Sequence, residues 1–317
     1  MRKITHGFFA TLAGFCMLCL LAGMAGGVSV ACDFLNNFMP IWLGIGFFSS
    51  LFAMAAAHRG IRRWSLGGVL IFTALTFWLL GPEIWARVST QPDDAVGLRI
   101  VQFNAFKDNR VPDAAAAWVI AQRPDIVLLE EALNNGKRVR ELLSEAFPYQ
   151  VSCVSDMRCS TVILSRHRPL ASGGLARGDP ENRGGTSAAW ARFAGPRGNF
   201  LVVAAHFQRP WPFGDQVAAR LEIAEFLAGQ TPAARDLAIL GGDFNLTPWS
   251  AAMRYQDQLF AMPRLSRARP SWPVGMAVLP IDHIYAGREW RLGRMTTGPA
   301  LGSDHYPLLV TLLPAKP

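Results

Sequence analysis

The sequence predicts an α/β (α+β) domain preceded by about three transmembrane helices, and three observations carry that prediction. The first third of the 317 residues holds three long apolar runs, roughly 8–31, 38–57 and 66–85, nearly free of charge. From about Leu98 onward, short apolar runs alternate with amphipathic stretches. Acids, amides and imidazoles recur at the ends of those short runs.

Each long run is close to the ~20 residues a helix needs to cross a bilayer. Buried core helices are the competing reading, but three in succession would need a large polar shell to cover them. Arg2 and Lys3 precede the first run, the segment CDFLNN after it has no cation, and Arg59, Arg62 and Arg63 lie between the second and third. The positive-inside rule puts the N-terminus and the 59–63 segment in the cytoplasm. Everything from about Val88 onward is then extracytoplasmic, the periplasmic side for a bacterial inner-membrane protein. Ser29, Val30 and Ala31 fit a signal-peptidase pattern; cleavage there leaves two spans and the same final sidedness. Gly23 and Gly27 form a G-x-x-x-G helix-packing pattern. The expected organisation is a membrane region over 1–87, a linker over 88–97 and a catalytic domain over 98–317.

The net charge of +8 is shared out: five of 31 Lys/Arg and two of 23 Asp/Glu precede Arg87, leaving 26 and 21, about +5, in the rest. That excess suits a phosphate-bearing substrate or an anionic membrane surface without choosing between them. Cys153 and Cys159 are the two cysteines of the exported part. They read either as a disulfide across a short turn, which an oxidising compartment permits, or as two small buried residues.

In the exported part, strands are expected at 98–104, 126–130, 161–165, 189–193, 200–205, 237–241, 281–286 and 306–312. Helices are expected at 113–122, 137–147 and 215–228, each with apolar residues at helical spacing. The stretch 173–185, GGLARGDPENRGG, reads as a mobile surface loop.

The polar residues at strand ends are Asn104 in RIVQFNAF, Glu130 and Glu131 in PDIVLLEEA, and His206 in LVVAAHF. Asp243 and Asn245 follow in LGGDFNLTP, Asp282 in IDHIYA, and Asp304 with His305 in GSDHYPL. Each has an ordinary explanation as a turn, a cap or a hydrogen-bonded rim residue. Their recurrence at six strand ends is the signal. Residues i and i+2 of a strand share a face, so Asp243 and Asn245 are expected to point the same way. Neighbours point oppositely, so one of Glu130 and Glu131 is expected to reach the site. An Asp/Glu/Asn/His set without cysteine is a hard donor environment suited to Mg²⁺ or Mn²⁺.

This ordered set, with GGDFN and GSDHYP its most specific parts, resembles the endonuclease/exonuclease/phosphatase superfamily of metal-dependent phosphoesterases, over roughly Leu98 to Leu313. The resemblance implies a four-layer sandwich, two β-sheets face to face with helices outside, and a site at one edge. It also implies the residue roles. Asn104 and Glu131 look like the metal end, with Asp304 near the cation; Glu130 stands where a Gln is commoner. Asp243 looks like the residue that orients and deprotonates the attacking water, and Asn245 would steady the phosphate or that water. His305 looks like a phosphate ligand whose ring is held by Asp282. His206 stands where deoxyribonuclease-like nucleases and sphingomyelinases keep a His and abasic-site endonucleases a Tyr.

The implied activity is in-line hydrolysis of a phosphoester by activated water, on a nucleic acid or a phospholipid headgroup. Arg209, Trp211 and Trp272, in the Arg/Trp loops HFQRPWPFGDQ and RARPSWPVG, are the substrate-binding expectations; they suit base stacking, a lipid headgroup, or rim packing. No obligate protein partner is implied. The alternatives are a catalytically silent, membrane-tethered binding module and a small polytopic transporter. The intact residue set argues against the first, and the lack of an ionisable residue in mid-span against the second.

Overall fold

The structure is a computed structural model that describes residues 2–90, 92–153, 160–175, 186–210 and 215–316. It divides into two units, Met1–Ser89 with Thr247–Arg254, and Thr90–Leu246 with Tyr255–Pro317. The segment Thr247–Arg254, far along the sequence, groups with the N-terminal unit.

The N-terminal unit consists of α1 (Arg2–Gly23), a 3₁₀ turn (Met24–Gly27), α2 (Val30–Asn36), α3 (Met39–Ala56), α4 (Arg59–Leu79) and α5 (Gly81–Ser89). Two of its helices, Lys3–Gly27 and Met39–Ala56, are long and apolar enough to cross a membrane. The third expected span is a bent pair, α4 and α5, with 50° between them. Pro82 explains the break: it lacks an N–H for the helical ladder and disfavours helical backbone at the residue before it. Phe8, Phe15, Leu18, Leu70, Phe77 and Trp78 stand exposed on these helices, as lipid-facing side chains would. The two glycines of the G-x-x-x-G pattern differ in their surroundings. Gly23 abuts the Asn36 side chain of α2, and Gly27 faces open space.

The second unit has two sheets. Its strands are β1 (Leu98–Asn104), β2 (Ile126–Glu130), β3 (Tyr149–Ser152), β4 (Val162–Ser165), β5 (Ala171–Gly174), β6 (Ser187–Phe193), β7 (Phe200–His206), β8 (Ile239–Asp243), β9 (Asp282–Ala286), β10 (Trp290–Thr297) and β11 (Leu308–Pro314). One sheet runs β10-β11-β1-β2-β4-β3 and the other β5-β6-β7-β8-β9. The helices are α6 (Pro112–Ala121), α7 (Asn134–Leu142), α8 (Asp215–Ala228), α9 (Pro232–Asp236) and α10 (Ala251–Phe260), of which α10 joins the second unit from Tyr255 onward.

Alternation along the strands builds the layers. Ile100, Ile126, Leu128 and Ile163 of the first sheet meet Ala189, Val202, Ala204, Ile239 and Ile284 of the second in one buried core. The other face of the first sheet, Val101, Phe103, Val127 and Leu129, packs on Ala115, Val119, Val139 and Leu143 of the helical layer. The expected sandwich is observed. Three strands, β3, β5 and β10, were not foreseen, and helix 137–147 begins earlier and ends at Leu142. Gly173 and Gly174 of the expected loop belong to β5, while residues 176–185 lie outside the described residues.

Each sheet holds a single parallel pair, β1 with β2 and β7 with β8. The C-terminal ends of these four strands therefore lie at one rim. The antiparallel neighbours β9 and β11 begin where β8 and β1 end. Residues far apart in sequence are delivered to one place by this pairing.

Gly242 makes the rim possible. Its φ is +149°, and a Cβ there would lie 1.8 Å from the Ala205 carbonyl oxygen. No side chain fits without parting β7 from β8. Gly242→Ala is expected to lower the thermal unfolding midpoint by many degrees, the class of backbone clash that exceeds an ordinary substitution. A midpoint within a degree of the parent's, by scanning fluorimetry, would contradict this.

Candidate active site

In the second sheet His206, Asp243 and Asp282 are direct register partners across β7, β8 and β9. Asp282 is fully buried; its Oδ2 accepts from His305 Nδ1 at 2.8 Å and its Oδ1 from Gln102 Nε2 at 2.8 Å. The other ring nitrogen of His305, Nε2, lies 3.5 Å from Asp243 Oδ2. The ring is thus clamped between two carboxylates. Burial opposes its charge, but Asp282 and Asp243 outweigh burial and push the His305 pKa up to about 10. The ring is an imidazolium at neutral pH.

Asp243 is 1% exposed. Its Oδ1 accepts from the Asn245 backbone N–H at 2.8 Å, and its Oδ2 from Asn104 Nδ2 at 3.0 Å. Burial raises its pKa to about 6, against the pull of His305. His206 Nε2 stands 3.7 Å from the same Oδ2. Asp243 is therefore a carboxylate held near neutrality and oriented from both oxygens, with two imidazoles beside it.

Asn245 does not continue the strand, as the shared-face expectation required. β8 ends at Asp243, and Asn245 takes a left-handed φ of +50°, which Asn tolerates better than most residues. Its side-chain Nδ2 donates to the Phe207 carbonyl at 2.9 Å and approaches Asp243 Oδ2 at 3.4 Å. The amide reaches the site through a turn.

The glutamates correct another expectation. Glu130 pairs with Asn104 across β1 and β2 and lies fully buried, its Oε2 accepting from Gln102. Burial and the charge of Asp282 raise its pKa well above the ordinary value. Glu131 follows the strand with φ +50°, a left-handed residue that swings its side chain back. Its Oε1 accepts from Asn104 Nδ2 at 3.2 Å and its Oε2 from the Lys107 N–H at 3.2 Å. Burial works against its charge, but His206, the Lys107 amide and Asn104 outweigh it and lower its pKa. Both glutamates converge on the site, and their pKa values are pushed in opposite directions. Gly136, at the start of α7, permits this turn; a Cβ there would lie 2.1 Å from the Glu131 carbonyl.

Asp304 is half-buried; its Oδ2 accepts from Trp272 Nε1 at 3.0 Å, while its buried Oδ1 has no partner. Trp272 is thus bound to a site acid. Arg209 is exposed just beyond β7. Trp211 and Cys159 lie outside the described residues, so the substrate contact of the first and the disulfide from Cys153 to the second remain expectations. Sequence reasoning missed Gln102, whose amide joins Glu130 to Asp282, and Ser303, whose hydroxyl donates to the Asn104 carbonyl and accepts from the His305 N–H. Gln102 shares a strand face with Asn104 at i+2, a legible signal.

Asp243, Asp282 and His305 offer ligand atoms within 4.8 Å of one another. The charged ring has no lone pair for a metal, however. Glu131 Oε1 lies 3.2 Å from the Asn104 amide nitrogen, and the Asp304 Oδ1 oxygen is buried without a hydrogen-bond partner. Asp243, Asp282 and Glu131 bring hard oxygen donors to this rim. That donor set fits a divalent cation such as Mg²⁺.

Two facing sheets with this acid-rich centre at one rim have the fold typical of metal-dependent phosphoester hydrolases. The chain belongs to the Endonuclease/Exonuclease/phosphatase family, whose model matches residues 101–305. Solved structures agree in fold. Beta toxin of Staphylococcus aureus, determined with bound magnesium ions, superposes with a TM-score of 0.54 at 15% identity, covering 70% of this chain and all (100%) of that one. A family protein from Leptotrichia buccalis gives 0.55 at 12% identity, covering 68% and 99%. One from Beutenbergia cavernae gives 0.51 at 17%, covering 69% and 72%. None of the curated proteins compared with the chain matches it.

Proposed function

We propose that the protein is a membrane-anchored, divalent-metal-dependent phosphodiesterase that hydrolyses its substrate by in-line attack of water. The observation that carries this reading is the clamp on His305: a buried imidazolium fixed beside a carboxylate whose pKa is about 6. A phosphodiester is an anion that repels hydroxide, and its leaving alkoxide is poor. Asp243 takes the proton from water; Asn104 and Asn245 hold the carboxylate at the angle for that transfer. His305 meets the negative charge that grows on the phosphoryl oxygens, and Asp282 keeps its ring charged and oriented. His206 adds a second imidazole on the same side. Asn104, Glu131 and Asp304 would hold the cation, Mg²⁺ or Mn²⁺, which when bound neutralises phosphate oxygens as a Lewis acid.

The substrate class is a phosphodiester of nucleic acid or a phospholipid headgroup, read by Arg209, Trp211 and Trp272. The test uses the full chain in detergent micelles with bis-nitrophenyl phosphate, then DNA, RNA and phospholipids side by side. Expected is nitrophenol release with Mg²⁺ or Mn²⁺ that stops with chelator. Absence of turnover with any divalent ion would favour a silent binding module.

This reading puts the catalytic unit on the extracytoplasmic side, with α4 and α5 together as the third span. Because Arg59, Arg62 and Arg63 occupy the first turns of α4, some sixteen apolar residues remain in it, ~24 Å of helix against a ~30 Å hydrocarbon core. Protease added to intact spheroplasts is expected to digest the catalytic unit. Full protection would mean that only two helices cross.

A further inference from the structure

The segment after Asn245 has its support in the N-terminal unit. Thr247–Arg254 belongs to that unit, and α2 with the residue after it, lying between the two membrane-length helices, holds the segment. Asp33 accepts from the Ala251 and Ala252 backbone N–H groups, the second at 2.8 Å, and also from Asn36 Nδ2 at 2.8 Å. These two N–H groups are orphan donors of the first turn of α10, so an acid more than two hundred positions earlier caps that helix. Asn37 Oδ1 accepts from the Thr247 N–H at 2.9 Å. Asp33, Asn36 and Asn37 are all buried.

Thr247 is two residues after Asn245. Leu246 between them is held from the other side: its carbonyl accepts from His283 Nε2 at 2.9 Å. The loop from Asp243 to α10 is therefore pinned at consecutive residues, by β9 at Leu246 and by Asn37 at Thr247. A left-handed Asn245 persists where its flanks are fixed in this way.

We propose that Asp33 and Asn37 are positioning residues of the hydrolytic site: they fix the loop that sets Asn245 against Asp243. This rests on the hydrolase reading above. Asp33 and Asn37 touch no reacting atom, so their loss lowers kcat while leaving KM nearly unchanged.

The test compares Asp33→Ala, Asp33→Asn and Asn37→Ala with Leu43→Ala, a cavity in α3 away from Asp33 and Asn37, all as full chains in micelles well below their unfolding midpoints. Expected is kcat about tenfold to 100-fold lower for Asp33→Ala and Asn37→Ala, with KM within about twofold. Asp33→Asn, which keeps one good acceptor, falls between. Leu43→Ala lowers the midpoint with kcat unchanged. Should Asp33→Ala fail to accumulate, Asp33→Asn and Asn37→Ala carry the test. Normal kcat in those variants, or an equal loss in Leu43→Ala, overturns the proposal. A parent chain without turnover overturns instead the hydrolase reading beneath it.

Discussion

Asp243→Asn is expected to lower kcat for nitrophenol release by about 10²–10⁴-fold while leaving the protein at least as stable as the parent. The two effects come from the same burial. An amide cannot take a proton from water, so the chemical step loses its base. The stability sign follows from the raised pKa. The folded state holds this proton up to about pH 6, against an ordinary value of 3.8. Folding therefore disfavours the charged form, and stability falls as pH rises through that window. Removing the charge removes that penalty at neutral pH. Glu131→Ala, by contrast, deletes an ionised donor and is expected to abolish hydrolysis through loss of the cation. Retained activity in both variants, measured beside their melting curves, would end the assignment.

The second large effect lies in the pH profile. With Asp243 near 6 and His305 near 10, kcat/KM should rise through the first value and fall through the second. Asp282→Asn removes the nearer of the two anions that hold the ring charged. The falling limb then moves to lower pH, into the neutral range where the parent is fully active. Stability shifts with it. A ring whose folded pKa lies above its ordinary 6.5 stabilises the fold fully below that value, and the gain is lost as pH rises towards 10. Asp282→Asn should flatten this alkaline loss. An unmoved falling limb would show that Asp282 does not set the charge of His305.

How far the sequence reached is clearest at the strands. β1 and β2 were delimited to the residue because both faces are buried and the apolar runs are continuous. β3, β5 and β10 escaped because each is an edge strand with few or no fully buried residues; β5 reads ASGG. Edge strands carry little apolar pattern and owe their structure to a neighbour. The site was legible because its residues interrupt apolar runs. What misled was the assumption of regular backbone beyond the last ladder bond: Glu131 and Asn245 both turn left-handed there. The third apolar run was legible as hydrophobic but not as bent, although Pro82 marks the place. The cap by Asp33 had no local signal, since its partners lie on a helix 218 and 219 residues onward.

The pairing of β11 with β1 has a temporal consequence. Asn104 is among the earliest parts of the second unit to be synthesised, and His305 among the latest, yet the strands beside them are neighbours. A nascent chain carrying Asn104, Glu131 and even Asp243 lacks the imidazolium until β11 threads between β10 and β1. The site is therefore complete only once β11 has joined its sheet, after nearly all of the second unit has been synthesised.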